Sequence, residues 1–301
     1  MPTYSYDSKW KAKTYATPSK DLLDVIKSNV LSHQERITKT DPITKEKTTT
    51  TINKDVLLTT VVNSSMMNYT LNWIESLKRT DQNKKFLVFA IDQEVVDVLT
   101  HKGYEKNVIL VPKEWLKVPL SSDFTLWKNE DYRPITHAKT LIVERLLYMN
   151  IIVWFSDVDI VILSPHILDA MLVQITDRPN THMLFSQEVE HRTVNSGFYL
   201  MKPSKITKQF MARIIEKQDE PSNEFTQQKI MNRVLKAMFP RDYVKSPYRL
   251  MDLLLYPNGK YFFKMDLPTR LGFKPLMVHV NNSTGDIKEA SLIKAGLWFL
   301  E

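Results

Sequence analysis

The chain reads as an α/β protein with a mixed, mostly parallel central sheet flanked by helices. Three observations predict this. Apolar, β-branched and aromatic runs recur at Val56–Val62, Phe86–Ile91 and Val108–Val111. Segments of helical apolar spacing, Tyr69–Leu77 and Glu94–Lys102, separate them, and such alternation means parallel strands joined by crossover helices. The 301 residues, 43% of them hydrophobic, also suffice for one large core.

Taken in order, Leu22, Leu23, Val25, Ile26, Val30 and Leu31 have helical spacing and predict a short amphipathic helix. Lys39–Thr51 is rich in Thr and Lys and reads as an exposed loop. Residues 1–53 are therefore expected as a peripheral helix with a polar linker, and residues 54–301 as a single domain. Within that domain Thr59, Thr60 and Val61 close the first strand and Asp92 follows the second. The stretch 112–137 is irregular, and Ala138–Met149 is helical. A strand leads into Asp157, and a helix starts near Pro165. Met183–Ser186 and Phe198–Met201 are strands, the second following the turn residues Asn195-Ser196-Gly197. Ile206–Lys217 and Thr226–Phe239 are helical, and the tail ends in a helix over Lys288–Ala295 capped by Gly296.

Composition excludes several classes. The sequence has no cysteine, which rules out disulfides, thiol nucleophiles and cysteine-ligated zinc. Its net charge of +7 is spread among acids, with no basic block interleaved with aromatics, so nucleic acid is not an expected partner. No apolar run approaches the roughly 18 residues of a membrane span. Met1–Lys13 lacks the apolar stretch of a secretory signal. The chain as given is expected to be soluble and cytoplasmic. Asn63, Asn68, Asn281 and Asn282 each begin a three-residue glycosylation pattern, one that arises often by chance.

The chemistry concentrates at Asp157-Val158-Asp159, between the apolar runs Ile151–Phe155 and Ile160–Leu163. On an extended segment alternate residues project to the same side. Two buried carboxylates cost several kcal/mol each unless compensated, and a hard divalent cation is the natural partner. Such a cation keeps positions open for phosphate, so metal-dependent chemistry on a phosphorylated substrate is expected.

With these residues in order, the chain resembles nucleotide-sugar-dependent glycosyltransferases of the GT-A fold, a Rossmann-like architecture. It is most similar to the nucleotide-diphospho-sugar transferase family that includes plant pectin xylosyltransferases and arabinosyl- and galactosyltransferases. The resemblance rests on Thr59-Thr60-Val61, Lys139, Phe155-Ser156-Asp157-Val158-Asp159 and Val194-Asn195-Ser196-Gly197-Phe198. It continues through Gln227-Gln228, His279-Val280-Asn281 and Ala295-Gly296-Leu297-Trp298.

The resemblance implies a metal-dependent retaining transferase. It would move xylose or galactose from a UDP-sugar to a glycan or glycoprotein acceptor. Asp157, Asp159 and His279 would hold the metal, manganese rather than magnesium because imidazole nitrogen favours transition metals. Asp157 would also face the ribose, while Lys139 and Lys288 would contact the diphosphate. Thr59, Thr60, Val61 and Asp92 would lie around uracil and ribose, beyond the carboxyl ends of the strands. Gln187 and Asn195 would line the sugar. Gln228 would stand beside the anomeric carbon, with Glu188 as the nearby acid. One departure is Gln227, where the family usually has an Asp that contacts donor hydroxyls, and this leaves the donor sugar open. Most relatives are membrane-anchored in the secretory pathway, so a lumenal Golgi domain without its anchor is the alternative location. Acceptor binding is expected from the 112–137 and 241–275 stretches, because loops on a rigid scaffold carry such roles.

Blander readings exist for each residue. Strand-end carboxylates are often satisfied by backbone amides or arginine, and a lone His in an apolar run is usually an ordinary core residue. Asn195-Ser196-Gly197 suits a turn. Lys139 suits a solvated helix surface, and Gln228 a polar helix position. Trp298 reads as a core anchor. Two other functions compete. One is a non-catalytic nucleotide-sugar-binding module of the same fold, motivated by Gln227. The other is a haloacid-dehalogenase-type phosphatase with Asp157 as nucleophile, although Gly285-Asp286 lacks that class's second acid.

Overall fold

A single long strand organises the sheet. The computed structural model describes residues 7, 9–40, 47–116, 132–178, 180–190, 192–220, 222–239, 245–281 and 285–300. Strand β1 (Leu31–Thr40) pairs antiparallel with the first part of β2 (Lys47–Val62), from Leu31 opposite Val56 to Thr40 opposite Lys47. The last part of β2 lies in the main sheet, parallel to β3 (Leu87–Ala90) on one side and to β5 (Ile152–Ser156) on the other. With β4 (Val108–Leu110), β7 (Met183–Val189), β8 (Thr193–Met201) and β9 (Tyr248–Leu250), the order is β4-β3-β2-β5-β8-β7-β9. β8 is the strand that runs against both of its neighbours, β5 and β7. A separate pair, β6 (Ile160–Ile162) and β10 (Met277–His279), is antiparallel.

The side-chain period of two assigns alternate residues to opposite faces of the sheet. Leu57, Val61, Val153 and Phe155 face one layer. It contains α1 (Lys20–Ser28), α4 (Tyr132–Tyr148), α6 (Lys205–Gln218) and α7 (Gln227–Met238). Val56, Leu58, Ile152 and Trp154 face the other. There α2 (Met67–Arg79), α3 (Gln93–His101) and α5 (Ile167–Thr176) supply Trp73, Ile74, Leu77, Val95, Leu99 and Met171. Full burial of such a side chain contributes about 1.5–3 kcal/mol, so both layers anchor the sheet. The tail adds the short α8 (Leu267–Arg270) and then α9 (Asp286–Lys294). No helix among the described residues is long and apolar enough to cross a membrane.

Several elements differ from their sequence expectation. The N-terminal helix stops at Ser28, because the Asn29 side chain donates to Val25 O and Lys106 O and ties the chain to the next layer. Val30 and Leu31 then continue into strand. The helix is not peripheral: Leu22 and Ile26 are buried in the main core, 4% and 1% exposed. Lys39–Thr51, expected as a loop, forms the distal part of the β1–β2 hairpin apart from residues 41–46, which lie outside the described ones. Of the irregular 112–137 stretch, residues 132–137 already belong to α4 and residues 117–131 are outside the described set. Asn195-Ser196-Gly197 is not a turn but the interior of β8. The register shifts of β7 between Phe185 and Gln187, and again between Gln187 and Val189, accommodate the pairing.

Candidate active site

The site gathers where β5 ends. Ser156 is the last residue of that strand, and its hydroxyl accepts the Trp73 Nε1–H at 3.1 Å and donates to Asp157 O at 2.9 Å. Residues 157–159 then leave the strand and turn into β6. The two carboxylates therefore converge through a turn, not through strand alternation. Asp157 N–H donates to Gly197 O at 2.6 Å, which pins the turn against β8. On the far side, β10 pairs His279 with Ile160, and Val280 N–H donates to Asp159 O at 2.9 Å. Three short elements thus place one ligand atom each of Asp157, Asp159 and His279 within 4.8 Å of one another.

Two lysines compensate the carboxylates. Lys139 of α4 meets Asp157 Oδ1 at 2.5 Å, and Lys288 of α9 meets Asp159 Oδ2 at 2.5 Å. His279 Nε2 lies 3.1 Å from Asp159 Oδ1, so both oxygens of this carboxylate are engaged. Burial works against the charge on Asp159. The Lys288 ammonium, then His279, nevertheless hold its carboxyl well below the usual carboxylate range. For Lys288, burial favours the neutral amine, and Asp159 outweighs it to raise the pKa.

The residues fit a divalent cation. Two carboxylates and one imidazole converge, and Gly197 sits against Asp157 and His279 with no side chain. A Cβ there would lie 2.6 Å from Asp157 Oδ2 and 2.8 Å from His279 Cε1. Glycine inside a strand marks such a close approach. Oxygen and nitrogen donors in this mixture suit a divalent cation.

A network of amides surrounds the cluster. Glu188 Oε2 accepts from Asn195 Nδ2 at 2.5 Å and from Asn281 Nδ2 at 2.9 Å. Asn195 Oδ1 in turn accepts from Gly197 N at 2.7 Å, and Asn281 Oδ1 from Gly259 N at 2.9 Å. Gln228 Oε1 accepts from Ser196 N at 3.1 Å, so α7 is tied to the same strand segment. Gln227 points elsewhere: it is buried, and its Nε2 donates to Thr140 Oγ1 of α4 at 2.9 Å. Gln187 donates to Met251 O at 2.7 Å.

The fold thus brings Lys139, Asp157, Asp159, Glu188, Asn195, Gln228, His279 and Lys288 into one connected region, while the Gln187 side chain is buried against Met251 O. The remaining candidates are engaged in the scaffold. β2 runs on to Val62, so Thr59 is mid-strand, fully buried, and donates to Leu87 O at 2.8 Å. Thr60 is also buried, and its hydroxyl makes no hydrogen bond among the described residues. Val61 is packed in the core. Asp92 caps α3, accepting from Val95 N at 3.1 Å, and also accepts from Ser64 N at 2.8 Å. Trp298 packs edge-on against Tyr69 with centroids 5.5 Å apart, as a core anchor would. Gly197, Asn281 and Gly259 received no individual role from sequence. Their signal was a strand-interior glycine and the spacing of two between His279 and Asn281.

Gly259 gives a direct test of this network. A Cβ there would overlap the Asn281 carbonyl oxygen, which is main chain and has no rotamer to retreat to. Gly259→Ala is expected to cost about 1–3 kcal/mol or more, read from the urea midpoint at unchanged slope. A midpoint equal to wild type would show that this turn yields freely.

The comparisons with known proteins follow this geometry. The family model described as nucleotide-diphospho-sugar transferase matches residues 82–291, which include every member of the cluster. No curated protein is significantly similar in sequence. Among solved structures, the glycosyltransferase GlyE of Streptococcus pneumoniae TIGR4 is 14% identical with a TM-score of 0.52, over 83% of this chain and 61% of that one. Its apo form is 13% identical with a TM-score of 0.51, over the same shares of 83% and 61%. This chain therefore spans about three fifths of the GlyE chain. A glycosyltransferase involved in glycosylation of the major capsid of PBCV-1 is 12% identical with a TM-score of 0.49, over 79% of this chain and 98% of that one. The GlyE likeness establishes a GT-A sheet, and the family match leaves the phosphatase reading without support. The chain belongs to the nucleotide-diphospho-sugar transferase family.

Proposed function

We propose that the chain is a metal-dependent, retaining glycosyltransferase that moves xylose or galactose from a UDP-sugar to a glycan or glycoprotein acceptor. Residues 54–301 would form its single transferase domain, with α1 packed onto it. The observation that carries the reading is the convergence of Asp157, Asp159 and His279 within 4.8 Å beside two lysines.

Asp157, Asp159 and His279 hold the cation, manganese before magnesium. When bound, it neutralises the charge developing on the departing nucleoside diphosphate without a proton. Lys139 and Lys288 turn from the carboxylates to diphosphate oxygens, so each ammonium exchanges one anion for another and stays paired. Asp157 also faces the ribose. Gln187 and Asn195 line the donor sugar. Gln228, oriented by the Ser196 N–H, is the amide beside the anomeric carbon. Glu188, held by two asparagine amides, fixes Asn195 and Asn281 in place. Thr59, Thr60, Val61 and Asp92 shape the floor beneath uracil, since their observed bonds and burial tie them to the scaffold.

The test is release of nucleoside diphosphate from a panel of UDP- and GDP-sugars with and without manganese. Slow hydrolysis of one UDP-sugar that needs manganese supports the reading and names the sugar. No release from any donor, together with no metal-dependent UDP binding, overturns it. UDP binding without turnover of any donor would favour the non-catalytic binding module, for which the Gln227–Thr140 bond in place of a donor-facing acid is the specific motive.

A further inference from the structure

The acids around the candidate site are unequally compensated. Asp157 and Asp159 each meet a lysine at 2.5 Å. Glu188, half-buried near the end of β7, forms no ion pair among the described residues. Its partners are two neutral amides, and both meet the same oxygen. Oε2 accepts from Asn195 Nδ2 at 2.5 Å and from Asn281 Nδ2 at 2.9 Å, while Oε1 takes no hydrogen bond among the described residues.

Backbone donors fix both amides in this orientation. Gly197 N and Gly259 N can only donate, so Oδ1 of Asn195 and Oδ1 of Asn281 face them, at 2.7 and 2.9 Å, and each Nδ2 is left for Glu188. An ionised carboxylate is acceptor-only, and its unused oxygen calls for donors. A hydroxyl satisfies it through a short charge-assisted bond without bringing a charge of its own.

Position ties this oxygen to the proposed cation site. The Cβ that Gly197 lacks marks a point 2.6 Å from Asp157 Oδ2, 2.8 Å from His279 Cε1 and 2.9 Å from Asn195 Oδ1. Asn195 therefore touches that cluster with one end of its amide and Glu188 with the other. On the opposite side, Asn258 Nδ2 donates to the carbonyls of Gln187 and Glu188 at 3.2 Å. This wall closes the site off from an open cavity of about 780 Å³ beside β7, which Gln187 lines and Glu188 does not. At the start of α7, Gln227 is turned to Thr140 and presents no polar group here.

We propose that Glu188 Oε1 accepts a ring hydroxyl of the donor sugar, which makes Glu188 a specificity-determining residue. This rests on the transferase reading above. The two carboxylate oxygens divide the work: Oε2 holds the asparagine frame, and Oε1 reads the sugar.

Glu188→Gln tests it with the frame kept. The two asparagine Nδ2 groups still need an acceptor, so the new amide must leave its oxygen on them, and its NH2 takes the place of Oε1. An acceptor becomes a donor. Isothermal titration in the presence of manganese compares UDP with the tighter-binding of UDP-xylose and UDP-galactose. The readout is the ratio of UDP-sugar affinity to UDP affinity. Glu188→Gln is expected to lower that ratio about tenfold or more, the size of a hydrogen bond to a charged group. A Glu188 that only held the frame would change both affinities together and leave the ratio alone. Gln227→Ala should leave the ratio unchanged, since Thr140 Oγ1 keeps the Gln218 amide at 3.0 Å. Wild type supplies a second test that needs no variant. Of the 2-, 3- and 4-deoxy forms of that UDP-sugar, at least one should bind about tenfold weaker than the parent, and Glu188→Gln should lose this distinction. An unchanged ratio in folded Glu188→Gln, or equal binding of the parent and all deoxy forms by wild type, overturns the proposal. If UDP still binds with manganese, the transferase reading survives that failure. No UDP binding at all overturns both.

Discussion

Asp159→Asn is expected to reduce manganese-dependent release of nucleoside diphosphate by more than about a hundredfold, beyond the 10–100-fold typical of losing a residue that merely supports a ligand. The substitution keeps the shape of the side chain and removes its charge. Asp159 is 8% exposed, and both carboxylate oxygens are engaged, one by His279 and one by Lys288. An amide can present one oxygen but cannot balance Lys288 while serving a cation. Asp159→Ala removes the partner altogether, and breaking a buried pair in this way costs about 3–5 kcal/mol because the surviving charge stays desolvated. Lys288 is 21% exposed at its side chain, so the low end of that range applies. Both variants strand the Lys288 charge and lose turnover, and Asn, which keeps the shape and hydrogen bonds of the side chain, should lower the urea midpoint less than Ala does. Wild-type turnover in folded Asp159→Asn would remove this carboxylate from the reaction.

Gly197→Ala should be nearly as damaging, although the residue carries no functional group. The added methyl would lie 2.6 Å from Asp157 Oδ2, 2.8 Å from His279 Cε1 and 2.9 Å from Asn195 Oδ1. The strand cannot retreat. Ser156 pairs with Phe198 across β5 and β8, and Gly197 O accepts the Asp157 amide at 2.6 Å. The side chains must move instead, and two of them, Asp157 and His279, are proposed ligands. Overpacking of this kind costs about 1–3 kcal/mol of stability. The larger effect is expected in manganese affinity, read by electron paramagnetic resonance of free Mn²⁺, with a loss of tenfold or more. Unchanged affinity would mean that Asp157 and His279 do not form the ion's site.

These two residues mark where sequence reading succeeded and where it stopped. Asp159 was legible because an acid pair between apolar runs has few physical justifications. His279 was legible because the same ordered motifs that flagged the acids flagged it too. Gly197 was visible as a turn residue and as part of the Val194–Phe198 motif, with no role of its own. Its role depends on β8 running antiparallel beside β5, a pairing between residues about forty apart that no local periodicity encodes. The same holds for Asn281 and Glu188, which meet across 93 residues of chain. Thr59 and Asp92 were expected beside the nucleotide, and the structure shows the hydroxyl of one bonded within the sheet and the carboxylate of the other at a helix cap. Polar side chains near a strand end are claimed first by the nearest backbone donor or acceptor, and spacing alone does not reveal that claim.

The amino-acid sequence by itself determined the α/β class, the order of strands and crossover helices through the centre of the chain, and the identity of the acidic pair. Those features follow from short-range periodicity and from the high cost of burying charge. Only the tertiary structure decided what compensates that charge. It set Lys139 and Lys288 on Asp157 and Asp159, drew His279 alongside through the β6–β10 pair, and left room for Asp157 and His279 at Gly197. It also turned the expected linker into the β1–β2 hairpin and opened the cavity beside β7. Compensation, clearance and cavities are properties of residues distant in the chain and close in space, and packing is what sets them.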